Sequence, residues 1–170
     1  MSSTMALTPD TQQRSFGLYA RVLATQVLYI TPLFWFMELL QNLGWKAVTG
    51  SYGWVFPGSP YNWFSFASMG LWAGSVSIMW TLHYFWFHPK GVKPWLRWLI
   101  AGAVCWGGEW SAGYLSVHVI GYPMQVWPGA ALVYVGLPAF VLWVGDVAIY
   151  QVLTQHVVDL TPGYDVPGNT

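Results

Sequence analysis

The chain has 170 residues, of which 7% are charged and 55% hydrophobic; thirteen are Trp, and six Lys/Arg balance six Asp/Glu. Soluble domains run at about 25% charged residues, so an ordinary water-soluble globule is excluded. A nucleic-acid binder needs a basic footprint and a disordered chain lacks aromatics, so both are excluded too. Cys105 is the single cysteine, which rules out a disulfide framework and cysteine-based metal sites.

Residues 1–17 form a polar segment with no short apolar stretch or small-residue cleavage site, so the first span reads as an uncleaved helix. Four apolar stretches follow, at 18–40 (extendable to 48), 63–87, 95–120 and 130–153. Each is near the roughly 20 residues a helix needs to cross a hydrocarbon core. The ten-residue alternation of a membrane barrel is missing. The expectation is an all-α polytopic membrane domain over 18–155 with four transmembrane helices. A polar tail at 156–170 carries Pro162, Gly163, Pro167 and Gly168. Arg14, Arg21, Lys90, Lys93 and Arg97 fall on one side and Lys46 on the other, which places both termini in the cytoplasm. A bacterial inner membrane is the expected setting.

Sliding the sequence by 71 positions matches Trp35 to Trp106, Glu38 to Glu109, Gly50 to Gly121, Val55 to Val126, Pro57-Gly58 to Pro128-Gly129 and Trp72 to Trp143. Repeats 35–82 and 106–153 are therefore expected to form two helix hairpins. With two crossings each, both enter from the same side, so a parallel repeat about an axis along the membrane normal is expected. Glu38 and Glu109 become partners across that axis, Asp146 has Ser75 as its counterpart, and loops 52–60 and 123–129 become matched outer turns.

Three of the six acids, Glu38, Glu109 and Asp146, lie inside these spans with no Lys or Arg at their depth. An ionised carboxylate at mid-bilayer costs about 3 kcal/mol on insertion scales. Such groups must hold a proton, find a hydrogen-bond donor, or open onto a cavity. Helix rise counted from the matched turns places Glu38 level with Glu109 and Asp146 roughly 9 Å deeper. Trp35, Trp106 and Trp143 each precede an acid by three residues, and Trp72 precedes Ser75, so an indole is expected beside each. Indoles donate to carboxylates, and their faces stabilise cations by roughly 0.5–2 kcal/mol. The functional reading is an aromatic-walled cavity with proton donors and acceptors; the bland one is carboxyls bonding helix to helix.

The histidines fit a metal or heme poorly. His83 falls near the cytoplasmic end of the second span and His118 near the outer end of the third, with His88 and His156 at the cytoplasmic boundary. Interfacial roles are preferred, although His83 is expected within range of Asp146. Gly70 and Gly74, with Gly102, Gly108 and Gly113, read as close helix packing. Trp45, Trp54, Trp63, Trp95, Trp98 and Trp127 read as an interfacial belt. No P-loop, dinucleotide fingerprint, HExxH or Ser/His/Asp constellation is present.

Glu38, Glu109 and Asp146 with their Trp neighbours, and Trp143 to Asp146 followed by Tyr150, give an architecture that resembles the small integral-membrane terpene cyclases and the emopamil-binding-type sterol isomerases. The meroterpenoid cyclases are longer, and the isomerases' histidines are unmatched here. The resemblance implies a cofactor-independent cyclase or isomerase, a lyase-like enzyme acting on an apolar isoprenoid or lipid. One carboxylic acid protonates an alkene or epoxide, aromatic faces steady the cation, and a second carboxylate removes a proton. Glu109, Asp146 and Glu38 are its expected catalytic residues, in that order of importance. Trp35, Trp72, Trp106, Trp143, Tyr150, Ser75 and His83 are its expected substrate contacts. The competing class is a non-catalytic subunit of a respiratory or photosynthetic complex, touching lipid, quinone or pigment; the expected partners are an apolar small molecule or lipid, the membrane, and a homo-oligomer or larger membrane complex. A transporter comes third.

Overall fold

A computed structural model of the protein describes residues 16–132 and 134–159; Arg14 and the tail from 160 lie outside them. Four helices make up the fold: α1 (Phe16–Thr49), α2 (Ser68–Leu82), α3 (Pro94–His118) and α4 (Pro138–Asp159). A wider π-helical turn, His83–Phe87, continues α2 toward the turn into α3. The all-α expectation holds: among the described residues there are no strands, only isolated bridges at Val55–Val126 and Tyr61–Phe64.

The 34-residue α1 continues through Pro32 and buries every fourth residue from Val22: Gln26, Ile30, Phe34, Glu38 and Asn42. Side chains four apart share a helix face, so three polar groups sit on an otherwise apolar packing ridge. Helix α1 packs on α2 and α4, and α3 packs closely on α4 but more loosely on α2. One apolar core runs through all four helices and takes in Trp54, Phe56 and Trp127 from the outer loops.

Two helices start later than the hydropathy predicts. Helix α2 begins at Ser68, not 63, and α4 at Pro138, not 130. Pro138 is suited to a first helical turn, whose N–H has no partner in any case, and it pushes Leu137 away from helical geometry. The outer connections therefore lengthen to 50–67 and 119–137. Each opens at a glycine in the left-handed region, Gly50 (φ 83°) and Gly121 (φ 77°), which ends the preceding helix at little steric cost.

The four-span expectation is met only in part. Among the described residues one helix, α1, is long and apolar enough to cross a membrane. Helix α2 is only 15 residues before its wide turn, and α3 is rich in Gly and Trp.

Contacts recur at an interval of 71 residues. Trp35 Nε1 donates to the Ser65 carbonyl at 2.8 Å, and Trp106 Nε1 to that of Gly136 at 3.1 Å. Ser59 N bonds the Phe56 carbonyl at 3.0 Å, and Ala130 N that of Trp127 at 3.1 Å. Val55 and Val126, themselves 71 apart, exchange reciprocal N–H···O bonds of 2.9 and 2.8 Å. Trp72 and Trp143, also 71 apart, meet with ring centroids 5.0 Å apart.

Candidate functional site

Asn42 anchors the outer wall of the site. It is fully buried, donates through Nδ2 to the carbonyls of Trp54 (2.9 Å) and Trp63 (3.1 Å), and accepts through Oδ1 from the amides of Gly53 (3.0 Å) and Trp54 (3.3 Å). One side chain thus satisfies four backbone groups of the 50–67 loop and holds Trp54 over the bundle. Trp54 in turn lies against Trp127 of the other loop, with centroids 4.9 Å apart.

Beneath these loops is a cavity of about 260 Å³, whose walls include Glu38, Trp72, Ser75, Glu109, Trp143 and Asp146. The three acids are held very differently. Glu38 Oε2 accepts from Ser68 Oγ at 2.7 Å and Trp72 Nε1 at 3.1 Å. Glu109 receives three N–H donors: Gln125 Nε2 (2.9 Å) and Trp127 Nε1 (2.8 Å) on Oε1, and Trp143 Nε1 (2.7 Å) on Oε2. Asp146 accepts a single bond, from Gln41 Nε2 to Oδ1 at 2.7 Å. A carboxylate offers about four acceptor positions. Glu109 has most of its positions occupied by fixed donors, whereas no donor among the described residues reaches Asp146 Oδ2.

Six of the ten residues expected from the sequence meet here: Glu38, Trp72, Ser75, Glu109, Trp143 and Asp146. Four do not line the cavity. Trp35 and Trp106 turn to the Ser65 and Gly136 carbonyls. Tyr150 is buried elsewhere, with its hydroxyl donating to Gln26 Oε1. His83 stacks on Trp80 and lies 5.9 Å from His88, centroid to centroid. The expected pairing of each acid with the Trp three residues before it is also corrected. Trp143 bonds Glu109 rather than Asp146, and Glu38 takes its indole from Trp72. Helical side chains lean toward their own N-terminus, so an indole reaches past its neighbour to the next helix or loop.

The depth estimate is corrected as well. Because α4 starts at Pro138, Asp146 lies about 12 Å of helix rise below its outer end, and Glu109 about 14 Å below the end of α3 at His118. The two acids are nearly level, and both face one cavity.

Sequence reasoning missed Gln41, Gln125, Trp127 and Ser68 as partners of the acids. Gln41 was within reach, since it lies three residues from Glu38 and so on the same helix face. Gln125, Trp127 and Ser68 come from loops and a helix start whose course no periodicity reports. Comparison with protein-family models, curated proteins and solved structures gives no match to this chain.

The cavity wall combines carboxyl oxygens with aromatic rings. Asp146 presents an oxygen free to give or take a proton. Trp72 and Trp143, whose rings meet each other, line the same cavity, and Glu109 is a fixed acceptor in its wall.

Proposed function

We propose that this chain is a four-span membrane enzyme, built from duplicated hairpins with both termini cytoplasmic, that isomerises or cyclises an apolar isoprenoid-like substrate by proton transfer. The observation that carries it is the cavity that brings Glu109 and Asp146 together. A non-catalytic subunit would pack those acids solid.

The membrane reading draws on more than α1. Large apolar side chains face outward along the other helices, among them Ile78 and Phe85, Val104 and Leu115, and Val141 and Val152. No Lys, Arg, Asp or Glu falls in 68–87. Contiguous apolar surface of this kind marks contact with lipid or another protein. The contacts recurring at 71 residues support the duplication.

In the proposed reaction, Asp146 in its acid form gives its Oδ2 proton to one carbon of a substrate alkene. The π pair forms the new C–H bond, and the neighbouring carbon becomes cationic. The faces of Trp72 and Trp143 lower the energy of that cation, with Glu109 as fixed negative or dipolar counterweight. A second alkene of the same chain attacks it to close a ring, or no ring forms. In either case loss of an adjacent proton to the Asp146 carboxylate restores the alkene and the acid. No external reagent is consumed.

The test uses purified protein in phosphatidylcholine nanodiscs, incubated in D2O with farnesol or geranylgeraniol. Mass spectrometry should show carbon-bound deuterium in recovered substrate or a ring-closed isomer, and Asp146→Asn should abolish it, because the amide has no transferable acid proton. Deuterium incorporation equal in parent and Asp146→Asn, or none in either with both probes, would refute the proposal.

A further inference from the structure

The two flanks of the bundle are not alike, although their helices correspond at the 71-residue interval. On the α2–α3 side the cavity is walled by Gly70, Gly74, Cys105, Gly108 and Ala112. Four of these five correspond to larger residues of α1 and α4: Gly70 to Val141, Cys105 to Phe34, Gly108 to Met37 and Ala112 to Gln41. Only Gly74 has an equal, Gly145. Most of the cavity wall belongs to α2 and α3, while α1 and α4 contribute Glu38, Gln41, Ala139, Leu142, Trp143 and Asp146. A Cβ added at Gly70, Gly74 or Gly108 would meet no atom within 4 Å, so these glycines do not serve close helix approach as their spacing predicts. They border open space.

Small residues alone make no site, but here the hollow leads to Asp146. That side chain is 3% exposed, and its Oδ2 has no donor among the described residues. The space is also too small for a whole lipid. At about 260 Å³ it lies below the usual 300–1,000 Å³ of pockets that enclose a ligand. The occupant must extend beyond it, and the outward apolar side chains of α2 and α3 flank the way out. Its polar end meets the carboxyl of Asp146 with no Lys or Arg among the described residues lining the cavity, which suits a hydroxyl, a group that both donates and accepts.

We infer that the ligand is a single-chain lipid alcohol, that it enters sideways from the bilayer through the α2–α3 flank, and that its hydroxyl comes to rest on Asp146 with its tail in the membrane. This rests on the proposed membrane reading and deepens it.

A diazirine-bearing farnesol analogue, photolysed with the protein in phosphatidylcholine nanodiscs, reads binding without turnover. Cross-links are expected on α2 and α3 peptides. Gly74→Leu and Gly108→Leu should each weaken labelling roughly tenfold, about 1.4 kcal/mol, by filling the path. Gly145→Leu is the matched control: the equivalent helical glycine, with equally open surroundings, and it should label like the parent. Farnesol should compete about tenfold better than its methyl ether, which leaves the buried oxygen of Asp146 without a donor. Loss of labelling in Gly145→Leu equal to that in Gly74→Leu, cross-links confined to α1, α4 or the loops, or equal competition by alcohol and ether would overturn the inference. Flank-specific labelling without deuterium incorporation would retain this binding site and refute the catalytic proposal. Incorporation unaffected by Gly74→Leu and Gly108→Leu would do the opposite.

Discussion

Replacing a carboxyl by its amide is ordinarily a mild change, and at Glu109 it should not be. Both oxygens of Glu109 accept N–H groups, two on Oε1 and one on Oε2. A glutamine at this position can point its carbonyl at only one of those groups. Its NH2 must then face the Trp143 indole N–H, or else the pair from Gln125 and Trp127, donor against donor. One bond in the better orientation is lost and a walled-in donor is left unpaired, which together cost roughly 2–4 kcal/mol. For a chain of this size that corresponds to a melting temperature lower by about 4–16 °C. Asp146→Asn provides the contrast. Its one bond comes from Gln41 Nε2, and the asparagine carbonyl can accept it unchanged, so stability should stay within about 0.5 kcal/mol. Thermal unfolding of both variants in the same nanodiscs reads the difference. Trp143→Phe added to Glu109→Gln removes the opposing N–H, and the pair should be less damaging than the sum of the singles. A Glu109→Gln protein as stable as the parent, or strict additivity with Trp143→Phe, would refute the three-donor arrangement.

Asn42→Leu should cost about 3–5 kcal/mol, since four loop backbone groups lose their partner, and limited proteolysis should then cut within 50–67 while sparing the helices. Unchanged protection would show that the loop is held by other contacts. A cysteine placed at Tyr61, which is 56% exposed, should react with a membrane-impermeant maleimide added outside intact cells, since native Cys105 is buried; labelling only after lysis would reverse the proposed topology. Gly50→Ala and Gly121→Ala, at φ of 83° and 77°, should each cost about 1–2 kcal/mol, with equal thermal shifts if the two loop entries are equivalent.

The parts of this molecule that could be read from its sequence are those governed by local chemistry. The four apolar stretches predicted four helices, and the charge of Glu38 inside an apolar span marked it as a buried acid. The shared offset of Glu38 and Glu109 pointed to equivalent places, and their bonds to Trp72 and Trp143 respect it. What stayed hidden depends on long-range placement. Nothing in the neighbourhood of Trp143 tells that its indole serves Glu109, 34 residues earlier, rather than Asp146. The depth of Asp146 escapes the sequence because the apolar stretch 130–137 resembles helix in composition, whereas α4 starts at Pro138. Tyr150 was assigned to the site for its nearness to Asp146 in sequence, but four residues on a helix is a full turn, enough to carry its hydroxyl to Gln26.

The inequality of the two flanks bears on why this bundle is a single chain. An assembly of two identical hairpins about a two-fold axis repeats each interface, so its flanks are both open or both shut. Opening both would give two half-sized hollows competing for the core, and shutting both would leave none. Joining the hairpins through the 88–93 turn frees each position from its twin, so that Met37 can be bulky while Gly108 stays bare. On the proposed reading, the covalent link makes one doorway possible: the halves share a plan, and their divergence gives the bundle an inside that faces one way.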